Sequence, residues 1–276
     1  MKRLMVGVEG SEGSQAALRW TCALAEATGA SVRAISTFAS SPKVLPEELE
    51  TKVAQRRAEL EGWVKAVGTS AKVDTTVWAE DPREVLADLA ENDGVDLLVV
   101  GRDGPRGEPG FLAVGSVGEY LAHHVSVPLA VVPTDASPAF GVVVVGVDGS
   151  PGAVAAVDWV QALAGAAGCD VVAATVHEPV LDTAQADGWK AQIETEILED
   201  WARPLVEAGI TTRAVAVQGP APAEGLLETA GEHDADLLVV GMRGRGGFLG
   251  LRVGGNAIRA LHKASSVALV MVPAAE

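Results

Sequence analysis

Asp236-Leu-Leu-Val-Val-Gly241-Met-Arg-Gly244-Arg-Gly-Gly-Phe-Leu-Gly-Leu-Arg-Val-Gly254-Gly255 is the stretch whose reading decides the fold. The apolar run at its start, bounded by glycine, predicts a strand buried on both faces of a parallel sheet. The glycines behind it permit positive φ and let main-chain N–H groups come close to a ligand. Asn256-Ala-Ile-Arg-Ala-Leu261 then resumes helical spacing. A strand, a glycine loop and a helix start together describe a cradle for a phosphate.

Outward from that stretch the chain repeats itself. Asp96-Leu-Leu-Val-Val-Gly101-Arg-Asp-Gly104, running on to Gly115-Ser116, is an earlier copy, and Val6-Gly-Val-Glu-Gly-Ser11 returns as Val145-Gly-Val-Asp-Gly-Ser150. The sequence is one domain written twice, with domains expected at 1–134 and 140–276 and a polar linker at 135–139. Half of a 276-residue chain is long enough to bury its own core. In the first half the pattern predicts strands at 3–8, 31–38, 72–78, 95–100 and 128–132. Helices are expected from Ser11 to about Thr28, over 46–67, from Asp81-Pro82 to Asn92, and over 116–123. Leu49, Val53, Leu60 and Val64 line one face of the long second helix. The second half predicts strands near 141–147, 170–176, 211–217, 236–240 and 267–272, and helices near 151–167, 183–208, 221–233 and 255–263. The expected fold class is therefore α/β: two tandem, doubly wound domains of Rossmann-like architecture, each with a five-stranded parallel sheet. Such sheets bind ligands beyond the carboxyl ends of their strands, where the strand order reverses, so the loops after the first and fourth strands are the candidates.

Composition narrows the function classes. Hydrophobic residues make up 48% and aromatics 4%, so the core is aliphatic. A formal net charge of −16 opposes nonspecific binding to nucleic acid or to an anionic membrane. No run approaches about 18 apolar residues and the first strand follows Met1 directly, which predicts a soluble, cytoplasmic protein. Cys22 and Cys169 form no metal or redox spacing and read as packing residues. His123-His124 lacks a partner pair, and the carboxylates at Glu47-Glu48, Glu59, Glu61 and Glu194–Asp200 fit solvated helix faces. Trp20 and Trp159 hold equivalent places on the first helix of each half and read as packing. No catalytic triad pattern stands out and no Gly-Lys-Ser/Thr follows the loop, so binding is expected rather than dedicated catalysis.

At these residues the chain resembles the universal stress protein family, as a tandem of two such domains. Nucleotide-binding members of that family carry Gly-x-x-Gly, nine residues, then Gly-Ser/Thr, with an Asp closing strand one. The resemblance implies an adenine-nucleotide alpha hydrolase-like fold, ATP as ligand together with Mg²⁺, and at most slow hydrolysis. In the second half Gly241, Gly244 and Gly254 keep the spacing, while Gly255 stands in the hydroxyl position with Asn256 next to it. Asp148 matches the strand-one acid on the nucleoside side, although a helix N-cap role competes, with Ser150 as the rival for that cap. Val176 matches a position whose main chain meets adenine. Arg243, Arg245 and Arg252 would compensate a polyanion.

In the first half ten residues separate Gly104 from Gly115, Ser116 supplies the hydroxyl, and Glu9 replaces the acid. Its extra methylene is expected to carry the carboxylate roughly 1.5 Å deeper, into space the nucleoside would need. Thr37, Gly101, Gly104, Gly115 and Ser116 are the matching contacts, and Arg102 and Arg106 are offset by Asp103 and Glu108. The second site is thus expected to be the more competent. The rival reading is a scaffold that binds no nucleotide and acts through protein–protein contact. The apolar fifth strands, 128–132 and 267–272, are expected to pair the two halves as in the family's dimers, and further association into a homodimer stays open.

Overall fold

The computed structural model describes residues 1–40, 44–103, 115–177, 188–244 and 252–274. Gly104, Arg106, Glu108 and Arg245 lie outside the described residues. The chain divides into two compact units, Met1–Ala139 and Phe140–Glu276.

In the N-terminal unit the strands are β1 (Arg3–Gly7), β2 (Ser31–Thr37), β3 (Val73–Trp78), β4 (Leu97–Gly101) and β5 (Leu129–Val132). All neighbours are parallel, in the order β3-β2-β1-β4-β5. The connecting helices are α1 (Glu12–Thr28), α2 (Pro46–Val67), α3 (Pro82–Asn92) and α4 (Ser116–His124). The C-terminal unit repeats the plan with β6 (Val142–Gly146), β7 (Asp170–His177), β8 (Thr212–Gln218), β9 (Leu237–Gly241) and β10 (Ala268–Val272), ordered β8-β7-β6-β9-β10. Its helices are α5 (Pro151–Ala167), α6 (Trp189–Glu196), α7 (Arg203–Glu207), α8 (Pro222–Glu232) and α9 (Gly255–Lys263). The order reverses between β1 and β4, and between β6 and β9, which sets the loops after those strands side by side.

Local chemistry explains the helix limits. Ser11 Oγ accepts from Ser14 N at 3.1 Å and Gly29 closes α1 at φ 71°. Ser150 Oγ accepts from Ala153 N at 3.2 Å, and Gly168 closes α5 at φ 74°. Asp81 Oδ1 accepts from Arg83 N at 2.9 Å ahead of Pro82. Trp20 and Trp159 are buried on these first helices, as packing residues would be.

Two expectations are corrected. The single helix expected over 183–208 is interrupted between α6 and α7 by a π turn at Ile197–Trp201, with Ala202 N bonded to Ile197 O at 2.7 Å. Pro204 has no N–H for the carbonyl of Asp200 and its ring would clash there, so the preceding turn widens. The apolar face expected on α2 is shallow: of Leu49, Val53, Leu60 and Val64, Leu60 alone is fully buried.

Candidate functional site

The first turn of each unit's first helix crosses the end of its fourth strand at van der Waals limit. An added Cβ on Gly241 would stand 2.4 Å from the Gly152 carbonyl carbon, and one on Gly152 would stand 2.1 Å from Arg243 O. In the N-terminal unit the matching distances are 2.6 Å from Gly101 to Gly13 and 2.4 Å from Gly13 to Asp103 O. Gly101 and Gly241, predicted as ligand contacts, are thus required by packing. Their partners Gly13 and Gly152 went unnoticed in the sequence, although each follows the cap of a repeated first helix by two residues. The crossing brings the strand-one loop against the strand-four loop, and Ser150 Oγ reaches Arg243 O at 3.4 Å.

Asp148 is not the helix cap; Ser150 is. Asp148 Oδ1 instead accepts from Ser150 N at 2.9 Å, and an added Cβ on Gly244 would lie 2.9 Å from Asp148 Oδ2. The acid therefore sits against the strand-four loop, and a side chain at position 244 would require its carboxylate to shift.

Gly254 and Gly255 behave differently. Gly254 N donates to Met242 O at 2.7 Å and closes the base of the loop. A Cβ there would meet its nearest atom, Met242 O, at 3.5 Å, with the Arg243 Cα at 3.7 Å and Gly244 N at 3.9 Å, all ordinary contacts. A Cβ on Gly255 would meet nothing within 4 Å. Among the described residues, packing thus demands neither glycine and leaves open the space a side chain would fill at the start of α9. No side chain among the described residues caps that helix, and Gly255 and Asn256 are exposed in its first turn. Uncapped N–H groups at the positive end of a helix favour an anion. Arg243 is exposed beside them.

Val176 is the penultimate residue of β7. Ala174 O accepts from Val147 N at 2.8 Å, while His177 O accepts from Gly219 N at 2.8 Å on the other side. Strand alternation then turns the Val176 N–H and C=O to the Ala174 side, past the end of β6 and toward the Asp148 loop. Thr37 is oriented likewise, since Ile35 O accepts from Val8 N at 2.8 Å. Both residues offer a main-chain donor and acceptor of the kind that reads a base edge.

The N-terminal counterpart has the same frame but different groups. Gly115 N donates to Arg102 O at 2.9 Å, and Ser116 opens α4, again without a side-chain cap. Asp103 replaces Arg243; its Oδ1 lies 3.7 Å from Arg102 Nη1 and its Oδ2 accepts from Thr134 Oγ1 at 3.3 Å. Glu9 does not reach forward as expected, because its Oε1 accepts from Ser11 Oγ and the longer side chain folds back on its own loop. Arg56 Nη1 donates to Glu9 O at 3.0 Å.

Shifted titrations lie away from these loops. The hydrogen bond from Lys263 holds the Glu224 carboxyl below its usual range and ties α8 to α9 at 2.5 Å. Burial pushes the Cys22 thiol up to about 11 and also raises that of Cys169. Among the described residues, no three His, Cys, Asp or Glu groups gather as a metal site, and no helix is long and apolar enough to cross a membrane. Two grooves, of about 540 and 770 Å³, open at the start of the strands, lined among others by Arg3, Arg33 and Asp93 and by Val172, Leu198 and Arg213. We place the site at the glycine loops because parallel sheets present their converging N–H groups at the carboxyl ends of strands. The Arg33–Asp93 pair already satisfies part of the smaller groove.

Both halves match the profile of the Universal stress protein family, over residues 1–133 and 139–273. The chain is 29% identical over 292 residues to a universal stress protein of Mycolicibacterium smegmatis, with 98% of this chain and 97% of that one covered. It is also 29% identical over 276 residues to the universal stress protein Rv2623 of Mycobacterium tuberculosis, covering 91% and 90%. The crystal structure of a universal stress protein from Archaeoglobus fulgidus shares the fold at a TM-score of 0.71 and 20% identity, over 99% of this chain and 98% of that one.

Proposed function

The chain belongs to the universal stress protein family, and from that premise we propose that its C-terminal unit binds an adenine nucleotide, ATP with Mg²⁺, as a sensing module in a stress response. The observation that carries this reading is the open start of α9. Gly254 and Gly255 leave room that packing does not require, beside uncapped N–H groups. Phosphates would lie there, with Arg243 as counter-charge and Asn256 on the first turn, and with Mg²⁺ carried on the phosphates. The nucleoside would lie toward Asp148 and the main chain of Val176, on the side where β6 ends. Occupancy would alter the surface that the unit offers to a partner.

Isothermal titration with Mg-ATP tests this reading. One equivalent per chain is expected, with Gly254→Ala filling the phosphate space and weakening binding by roughly tenfold or more while the fold survives. No heat, and no thermal shift at millimolar Mg-ATP, would leave the reading without support. A nucleotide-free scaffold is the better reading for the N-terminal unit, where Asp103 stands in place of Arg243. An anion there would meet a carboxylate.

A further inference from the structure

We infer that α2 of the N-terminal unit is an internal plug, whose Arg56 and Trp63 close the nucleoside end of that unit's site until the helix peels away. What could then enter rests on the nucleotide reading above, whereas the plug itself does not.

Residues 9–10 of this unit correspond to 148–149 of the other, the loop proposed to face the nucleoside. Arg56 Nη1 is bonded to Glu9 O at 3.0 Å. Gly10 has φ +97°, and an added Cβ would stand 2.5 Å from the Trp63 ring, so the indole rests directly on that glycine. The pair is braced from within α2. The Arg56 Cζ lies 5.9 Å from the Trp63 centroid, and its Nε lies 3.5 Å from Glu59 Oε2. Two side chains from one helix therefore stand on the loop, and a ligand reaching it must move both.

Among the described residues, the equivalent positions of the C-terminal unit carry no such pair. Aligned through the glycines that end the second-helix segments, Gly68 and Gly209, Arg56 corresponds to Ile197 and Trp63 to Pro204. Ile197 is fully buried, and the Pro204 carbonyl accepts from Gln161 of α5 at 3.1 Å. Neither position offers a guanidinium or an indole to the Asp148 loop.

The helix is also weakly seated. Of its 22 residues only Leu60 is buried, whereas α1 buries ten of 17. Elements with few buried apolar contacts open at low free-energy cost. Besides Leu60 and its half-buried contacts with β2, β3 and α1, the plug contacts are among those that hold α2 down.

The test is hydrogen exchange by mass spectrometry on the full chain, comparing wild type with an Arg56→Ala/Trp63→Ala variant. Glu9 N and Gly10 N donate to Ser14 Oγ at 3.3 and 3.0 Å, so their exchange reports the loop. Both α2 and residues 8–14 are expected to exchange about tenfold faster or more in the variant, with the middle of α1 unchanged. Calorimetric stoichiometry with Mg-ATP is expected to rise from one to two per chain. The second equivalent would be the weaker, because Glu9 and Asp103 remain. Unchanged exchange overturns the plug, and so does a wild type that already binds two. Faster exchange with stoichiometry held at one overturns the claim that the plug covers a usable site. A wild type that binds no nucleotide sinks the reading in the preceding subsection, while the exchange result still decides the plug. Should the double variant fail to fold, Arg56→Ala alone is expected to accelerate the same two segments to a smaller degree, and acceleration of neither overturns the plug.

Discussion

At the crossing of first helix and fourth strand the two units are built alike, with Gly13 on Gly101 and Gly152 on Gly241; two residues further on they carry opposite charge, Asp103 against Arg243. The backbone crossing is a requirement of the fold, since either unit would lose its helix–strand contact without it. The side chains beyond it are where a ligand would touch. Duplication thus separates two kinds of glycine that look the same in one copy. Gly101 and Gly241 serve packing, while Gly254 and Gly255 leave space.

The largest expected effect tests the shared part. Gly152→Ala forces a methyl to within 2.1 Å of a main-chain oxygen and should destabilise the C-terminal unit by about 3 kcal/mol or more. Gly13→Ala should do the same to the N-terminal unit, from a 2.4 Å approach. Urea unfolding followed by exchange in each unit would report which half melts. Damage confined to one variant would break the equivalence.

Exchanging the charges comes next. Arg243→Asp should weaken Mg-ATP binding by about 2–3 kcal/mol, the scale of a charge-assisted hydrogen bond replaced by repulsion. The loss should shrink at high salt, because the residue is exposed. Titrations at two ionic strengths would check both statements.

A smaller gain sharpens the comparison. Gly255→Ser restores the hydroxyl that Ser116 supplies in the other half, and should strengthen binding by about 1 kcal/mol. Gly255→Ala should raise stability by up to about 1 kcal/mol, as a helical glycine is replaced, without the gain in binding that the hydroxyl brings. If it improves both, the space at the start of α9 is not where phosphate lies.

The smallest effect concerns pH. The Glu224 carboxyl is held down by Lys263, so its contribution is present above the usual carboxylate value near 4.3 and is lost as pH falls through its lower folded value. The pair is partly exposed and screened by solvent, so Glu224→Gln should cost under about 1 kcal/mol at neutral pH and still less in acid. Thermal melts between neutral pH and pH 3 would show the two proteins converging.

Much of this was legible in the residues. Asp96-Leu-Leu-Val-Val and its copy at Asp236 announce buried parallel strands, and the repeat fixes the topology of one half from the other. Caps at Ser11 and Asp81 follow local rules and are readable as such, whereas the sequence leaves the α5 cap open between Asp148 and Ser150 until the structure gives it to Ser150. The π turn was not, because a helical pattern runs through Pro204 and only the geometry of its ring forbids continuation. Gly13 and Gly152 were hidden by distance, since their partners lie some 90 residues along the chain. Arg56 on Glu9 O is also long-range, at a separation of 47 positions. Glu9 itself was misjudged because Ser11, two residues on, offers its carboxylate a nearer partner than empty space.

One feature of the core bears on what kind of stress such a protein could register. Burial pushes the Cys22 thiol up to about 11, so little of it is ionised at neutral pH, and thiolate is the form that peroxides attack. Cys169 is buried and raised in the same sense. Oxidants would therefore pass both sulfurs slowly, and a redox alarm would have to reach this protein by some route other than its own cysteines.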